Sequence, residues 1–228
     1  LMGKIDKCWR GPLWIALALG GMQGMMGWYM VKSGLVDIPH VSHYRLAAHL
    51  SLALVILVYL FWLILNMAGI ARKNVSPSLR YGALGLASLL AVQFIFGAFT
   101  AGLDAGRGFN TWPLMHDQFL ADAATMINPL WLNLIENGVM IQFLHRWLGA
   151  LLVLGIVAFS FAAIRQGVLL RPVVVLLLVS GCQFLLGLLT LLYAVPVVLG
   201  SLHQAFACLM VLVLAYLIYV SLPDKKTL

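Results

Sequence analysis

Apolar residues in this chain come in six long runs, at about 13–31, 46–67, 81–101, 131–163, 172–195 and 202–221. Each is close to or above the roughly 20 residues a helix needs to cross a bilayer. None alternates polar and apolar residues in the way a barrel strand must. A backbone in lipid has to satisfy its own hydrogen bonds, so the runs are expected to be helices. Polar and charged residues collect in the breaks between them. The pattern predicts an all-α integral membrane protein with six transmembrane helices in this chain.

Composition agrees and excludes a soluble domain. Of 228 residues, 63% are hydrophobic and only 9% charged, and mean hydropathy is +1.02. The formal charge of +7 comes from loops rather than from a basic face, so no nucleic-acid partner is expected. Lys4, Lys7, Arg10, Arg72, Lys73, Arg80, Arg165, Arg171, Lys225 and Lys226 all fall on one side of the expected topology. By the positive-inside rule that side is the cytoplasm, or the matrix in a mitochondrion, and both ends of the chain lie there. The expected home is a bacterial inner membrane or the mitochondrial inner membrane, with membrane lipid around the helices. Cys8, Cys182 and Cys208 have no metal-ligand spacing. The two within spans are expected to be small core residues.

Three histidines stand out because a polar ring in a membrane helix needs a partner. His49, His145 and His203 each lie near the same, outer end of an apolar run. A repeat accompanies them. Gln23-x-x-x-Gly27 precedes His49, and Gln183-x-x-x-Gly187 precedes His203. Gln93-x-x-x-Gly97 ends the run before the one that holds His145. Residues 71–228 are therefore expected to form a complete four-helix unit with two histidines, and residues 1–70 the second half of another. Its first two helices would precede residue 1, making this chain part of an eight-helix protein. Two imidazoles from facing helices suit heme iron. Without nearby Cys, Asp or Glu they make a poor zinc set. A pair of hydrogen-bonded core histidines fits the spacing equally well.

Other groups are open to two readings. Arg146 follows His145, and Arg45 starts the second run; each could meet an anionic group such as a heme propionate. Glu136 lies roughly 13 Å along a helix axis from His145, too far for direct contact. His40 and His43 are expected in an outer loop near Asp37. Gly20, Gly21, Gly24 and Gly27, with Gly82, Gly85 and Gly97, are expected to let helices approach closely. The 101–130 segment is long for a hairpin, and Trp112 and Trp131 suit an interfacial lid.

Longer strings carry a resemblance. Residues 20–35, Val41 to Leu50, Gly97 to Gly106, Phe109 to Met115, Glu136-Asn137, Gln142 to Arg146 and Leu199 to Gln204 resemble the heme A synthase family, in order and over nearly the whole chain. The likeness is to the branch found in mitochondria and many proteobacteria. It implies an enzyme of two four-helix halves that oxidises the C8 methyl of heme O to the formyl group of heme A, for cytochrome c oxidase assembly. It also implies a heme b in the C-terminal half, with iron ligands at His145 and His203. His49 would be a catalytic ligand to the substrate-side heme iron, and Arg146 and Arg45 cofactor-binding residues. Implied partners are heme O synthase, cytochrome oxidase assembly factors, an electron donor the sequence does not name and a second copy of the chain. The resemblance places the family's Glu-x-x-His-Arg motif on the second helix of the N-terminal half, expected to precede this chain, and the C-terminal copy reads Gln142-Phe143-Leu144-His145-Arg146, with Gln142 at the repeat position of that acid. No other residue replaces that acid, so the chain alone is expected to bind heme b better than it catalyses. A b-type membrane cytochrome taking electrons from quinol is the alternative, and a heme or small-molecule transporter a more distant one.

Overall fold

The computed structural model describes residues 5–32 and 41–223. His40, Asp37, Lys4, Lys225 and Lys226 lie outside the described residues. The helices are α1 (Lys7–Lys32), α2 (His43–Met67), α3 (Pro77–Gly102), α4 (Asn133–Glu136), α5 (Gly138–Arg165), α6 (Leu170–Leu192) and α7 (Val197–Ser221), with short 3-10 turns in the 103–132 segment. Local chemistry sets several boundaries. Pro77 opens α3, where its missing N–H costs nothing. Gly69 and Gly167, at φ 63° and 66°, end α2 and α5 in the left-handed conformation glycine adopts without strain. The Asn137 side chain accepts from the N–H groups of Val139 (2.9 Å) and Met140 (3.4 Å), capping α5.

That cap corrects the expected fourth span. The apolar run beginning at 131 is not one helix. Residues 130–132 form a 3-10 turn, Asn133–Glu136 one helical turn, and the spanning helix starts at Gly138. Asn133 and Asn137 hold the break. Asn133 Nδ2 donates to the carbonyls of Ile127 (2.7 Å) and Leu130 (2.9 Å), and Asn137 Nδ2 to that of Ala123 (2.7 Å). His145 therefore stands two turns inside its helix, not about fourteen residues deep. His203 does not begin its helix but follows a start at Val197.

Five helices, α2, α3, α5, α6 and α7, are long and apolar enough to cross a membrane. Most of their surface is apolar and exposed within the chain, as at Ile64, Leu154, Val157 and Leu178. The protein is an all-α, multi-pass membrane protein. At 26 residues α1 is long enough, but Gly20, Gly21, Gln23 and Gly24 dilute it and it falls short of that apolarity. Helix α3 packs on α5, α5 on α6, α6 on α7 and α7 on α3, which closes a four-helix ring. Helix α2 packs outside it against α3 and α7, and α1 packs on α2.

One half of the ring has an apolar core. Leu79, Ala83, Leu86, Leu90 and Phe94 of α3 meet Leu152, Ile156 and Phe159 of α5, with Val173, Leu176, Leu214 and Leu217 from α6 and α7. Their three- and four-residue spacing keeps each set on one helix face. Two expectations from small residues change. A Cβ at Gly20, Gly21 or Gly24 would meet nothing within 4 Å, so these glycines pack against no described residue. Cys182 is exposed and Cys208 half-buried, so Cys182 is no core residue.

Candidate functional site

Toward the other end of the ring the same inward faces change character. Leu90 gives way to Gln93 and Gly97 on α3, Leu152 to Gly149 and His145 on α5, and Leu176 to Ser180, Gln183 and Gly187 on α6. Small and polar residues cannot fill the space that leucines fill below. A cavity of about 360 Å³ results, bounded by all four helices. Its volume is that of an organic ligand site rather than an ion site.

His145 and His203 line this cavity from α5 and α7, with ring centroids 6.4 Å apart and planes at 85°. The lining is rich in unpaired polarity. Gln93 Oε1, Gln142 Oε1, Gln183 Oε1, His145 Nδ1 and Arg146 Nε are buried without a hydrogen-bond partner. Each such group costs about 1–3 kcal/mol when buried unpaired. Their gathering in one cavity is what a ligand-binding site requires and a packed core avoids. A bare ion fits poorly, because no group of three or more His, Cys, Asp or Glu is found among the described residues. An iron carried in a macrocycle brings its own equatorial nitrogens and asks the protein only for axial ligands. With metal–nitrogen bonds of ~2 Å, two axial imidazoles would have centroids roughly 6 Å apart, close to the spacing of these rings.

The three glutamine–histidine pairs share one register. Gln23, Gln93 and Gln183 each lie nine residues before the end of α1, α3 and α6, and Gly27, Gly97 and Gly187 each five. His49, His145 and His203 lie six or seven residues into the following long helix. In every pair the two meet. Gln23 Nε2 donates to His49 Nε2 at 3.1 Å, Gln93 Nε2 to the His145 carbonyl at 2.9 Å, and Gln183 Nε2 to His203 Nε2 at 3.4 Å. Each glycine lies under an imidazole, since an added Cβ would meet Cε1 of His49, His145 or His203 at 3.3, 3.1 or 2.7 Å. The structure thus brings His145 and His203 together and holds His49 apart, on the α1–α2 pair. Sequence reasoning saw the Gln-x-x-x-Gly strings but not that they touch the histidines; the constant distance to the helix end was the available signal.

The arginines are placed differently from expectation. Arg146 is buried, and its Nη groups donate to the carbonyls of Thr111 (2.8 Å), Leu114 (3.3 Å) and Phe109. It clamps the 103–130 segment, and only Nε remains unpartnered. Gln142 adds a bond from Nε2 to the Gly108 carbonyl (2.6 Å), and Asn110 Nδ2 donates to the Leu191 carbonyl at the end of α6 (2.7 Å). The segment is thereby fixed over the ring, and Trp112 enters the cavity wall. Arg45 stacks over the Tyr29 ring at 4.7 Å, one turn from His49.

His43 is not a loop residue. It begins α2, is buried, and donates from Nε2 to the Ile135 carbonyl at 2.9 Å. Beside it Tyr44 donates to Glu136 Oε1 at 2.5 Å. Glu136 is therefore engaged by α2, and the pair ties α2 to the segment that precedes α5.

Fold and site together define a class: a multi-pass all-α membrane protein with two histidines facing across a cavity in a four-helix ring. The chain belongs to the COX15-CtaA family, described as cytochrome oxidase assembly protein, whose model matches residues 1–215. Among curated relatives, it is 44% identical over 223 residues to a heme A synthase of Rhodopseudomonas palustris strain TIE-1, covering 93% of this chain and 58% of that protein. It is 41% identical over 210 residues to a heme A synthase of Wolbachia pipientis wMel, covering 91% and 59%. It is also 41% identical over 219 residues to one of Beijerinckia indica, covering 92% and 60%. The chain thus spans less than two thirds of the length of these relatives.

Proposed function

We propose that this chain carries the heme-handling site of a heme A synthase, which oxidises the C8 methyl of heme O to the formyl group of heme A for cytochrome oxidase. The observation that carries the reading is the pair of facing imidazoles in a cavity lined with unpaired polar groups. Family membership and the relatives' names support the substrate class. His145 and His203 would hold the iron of a heme b. Bound there, the heme would supply one-electron chemistry. Arg146 and Gln142 hold the loop that brings Trp112 to the cavity and limits water. Arg146 Nε is the donor left for a propionate. His49, seated by Gln23 and Gly27, would face the substrate heme iron, with Arg45 one turn away for its propionates.

The helix pairs support the proposed organisation. Residues 1–70 repeat the α6–α7 pair in register and would be half of an N-terminal unit, with 71–228 the C-terminal unit. Helix α1 would be a sixth span. Lys7, Arg10, Arg72, Lys73, Arg80, Arg165 and Arg171 gather at the end opposite the site. That end would face the cytoplasm or matrix and the site the outer side of a bacterial or mitochondrial inner membrane. Partners would come from heme O supply and cytochrome oxidase assembly, with a separate electron donor.

The test is genetic and spectroscopic. His49→Ala introduced into the native gene should abolish heme A in membranes, with heme O accumulating and the b-type signal of the purified protein retained. Normal heme A levels in that strain would contradict the reading.

A further inference from the structure

The mechanism above uses the histidines as ligands but leaves the repeated Gln-x-x-x-Gly step unexplained. An imidazole can accept a metal only at a nitrogen that carries a lone pair, so the proton must sit on the other one. At His203 two contacts bear on this choice. Nδ1 lies 3.2 Å from the main-chain carbonyl of Gln183, and Nε2 lies 3.4 Å from the side-chain Nε2 of the same residue. A carbonyl oxygen only accepts and an amide N–H only donates. Both contacts therefore require one tautomer, with the proton on Nδ1 and the lone pair on Nε2.

Glycine makes the first contact possible. The Gln183 carbonyl is a helix carbonyl, and the residue four positions on flanks it. A Cβ at Gly187 would lie 2.7 Å from His203 Cε1 and 3.3 Å from Nδ1, closer than the ring can tolerate. Gly181, on the same helix, would meet nothing within 4 Å, so the demand is local. The glycine contact recurs at Gly97, where a Cβ would lie 3.1 Å from His145 Cε1 and 3.7 Å from Nδ1, but there Nδ1 has no hydrogen-bond partner and Gln93 Nε2 donates to the His145 main-chain carbonyl, so no tautomer is fixed.

We propose that the Gln183-x-x-x-Gly187 step is a seat for His203: the glycine lets the imidazole lie against the helix backbone, and Gln183, through its main-chain carbonyl at Nδ1 and its side-chain amide at Nε2, fixes the tautomer that leaves the lone pair on Nε2. Gly187 and Gln183 are then positioning residues for His203, and Gly97 makes room for the His145 ring without fixing its tautomer. The assignment of Nε2 as the metal-binding nitrogen rests on the proposed heme site; the seat and the tautomer do not. Outer partners of metal-bound imidazoles set ring orientation and basicity, and removing them costs about 10–100-fold in metal affinity.

The seat can be read without heme. The 228-residue chain, labelled with 15N-histidine and reconstituted in lipid under reducing conditions, is measured by solid-state NMR, with His203→Asn and His145→Asn spectra assigning the resonances. His203 should show a protonated Nδ1 and an unprotonated Nε2. Gly187→Ala should lose that signature at His203, with helix content unchanged by circular dichroism, whereas Gly181→Ala should keep it. Gln183→Met, which removes the amide and adds no clash, should shift the His203 Nε2 resonance and is the second test if Gly187→Ala does not fold. A protonated His203 Nε2 in the unsubstituted chain, or His203 resonances unchanged in both Gly187→Ala and Gln183→Met, overturns the proposal. Heme titrated into the same samples is a second readout, and Gly187→Ala should bind roughly tenfold or more weakly than Gly181→Ala. Absence of heme binding by the unsubstituted chain would sink the proposed function and leave the NMR result to decide the seat.

Discussion

An imidazole and a guanidinium inside a membrane helix each demand an explanation, and here the two differ. His145 and His203 face each other across a cavity, and His145 Nδ1 has no hydrogen-bond partner. Arg146, the next residue, turns away to three loop carbonyls. Lysine is a point donor and cannot span that fork. Arg146→Lys is therefore expected to free the 109–114 segment, and limited proteolysis in detergent should cut there at least several times faster than in the unsubstituted chain. Unchanged cutting would show that the clamp is dispensable. The sequence made both residues conspicuous. It suggested a propionate for Arg146, which Nε is still free to meet, but not the loop carbonyls held by its Nη groups, because contacts more than thirty positions upstream leave no trace in local pattern.

Helices were legible wherever hydropathy decides them and less so where polar side chains do. The runs at 46–67, 81–101 and 172–195 match α2, α3 and α6 to within a few residues. The run at 131–163 failed at its start because Trp131, Leu132, Leu134 and Ile135 are apolar enough to extend the helix. The break comes from Asn133 and Asn137, whose amides hold the preceding loop. Asn137→Ala should remove the α5 cap and a loop bond together, for about 1–3 kcal/mol, and lower the thermal midpoint of the helical signal. A second contact at this level joins α2 to α3. A Cβ at Gly102 would lie 2.7 Å from the His43 backbone, which cannot swing away as a side chain can. Gly102→Ala should destabilise by about 1–3 kcal/mol, as overpacking does, and Gly108→Ala, with nothing within 4 Å, should not. Equal melting of the two variants would show that α2 is not held at that point.

For the whole molecule, the repeat is more regular than the sequence suggested. Glutamine-to-histidine separations of 26, 52 and 20 residues look unrelated, yet the helix registers agree. The variation lies in the connections, and a separation counted along the chain mixes connection with helix. The same end-to-end order gives the charge bias its meaning. Cys8 is exposed beside Lys7 and Arg10, at the end opposite the histidines. A membrane-impermeant maleimide should label Cys8 only after cells are opened, and Asp117→Cys, on the site side, in intact spheroplasts. The reverse pattern would invert the topology. The central claim is that His145 and His203 hold a heme in the ring of α3, α5, α6 and α7. The direct measurement is a pyridine hemochrome assay with a reduced-minus-oxidised spectrum on the detergent-purified chain, beside His145→Ala and His203→Ala. One low-spin b-type heme per chain, lost in each variant, is the predicted result. No heme in the unsubstituted chain, or an unchanged low-spin spectrum in both variants, would contradict it.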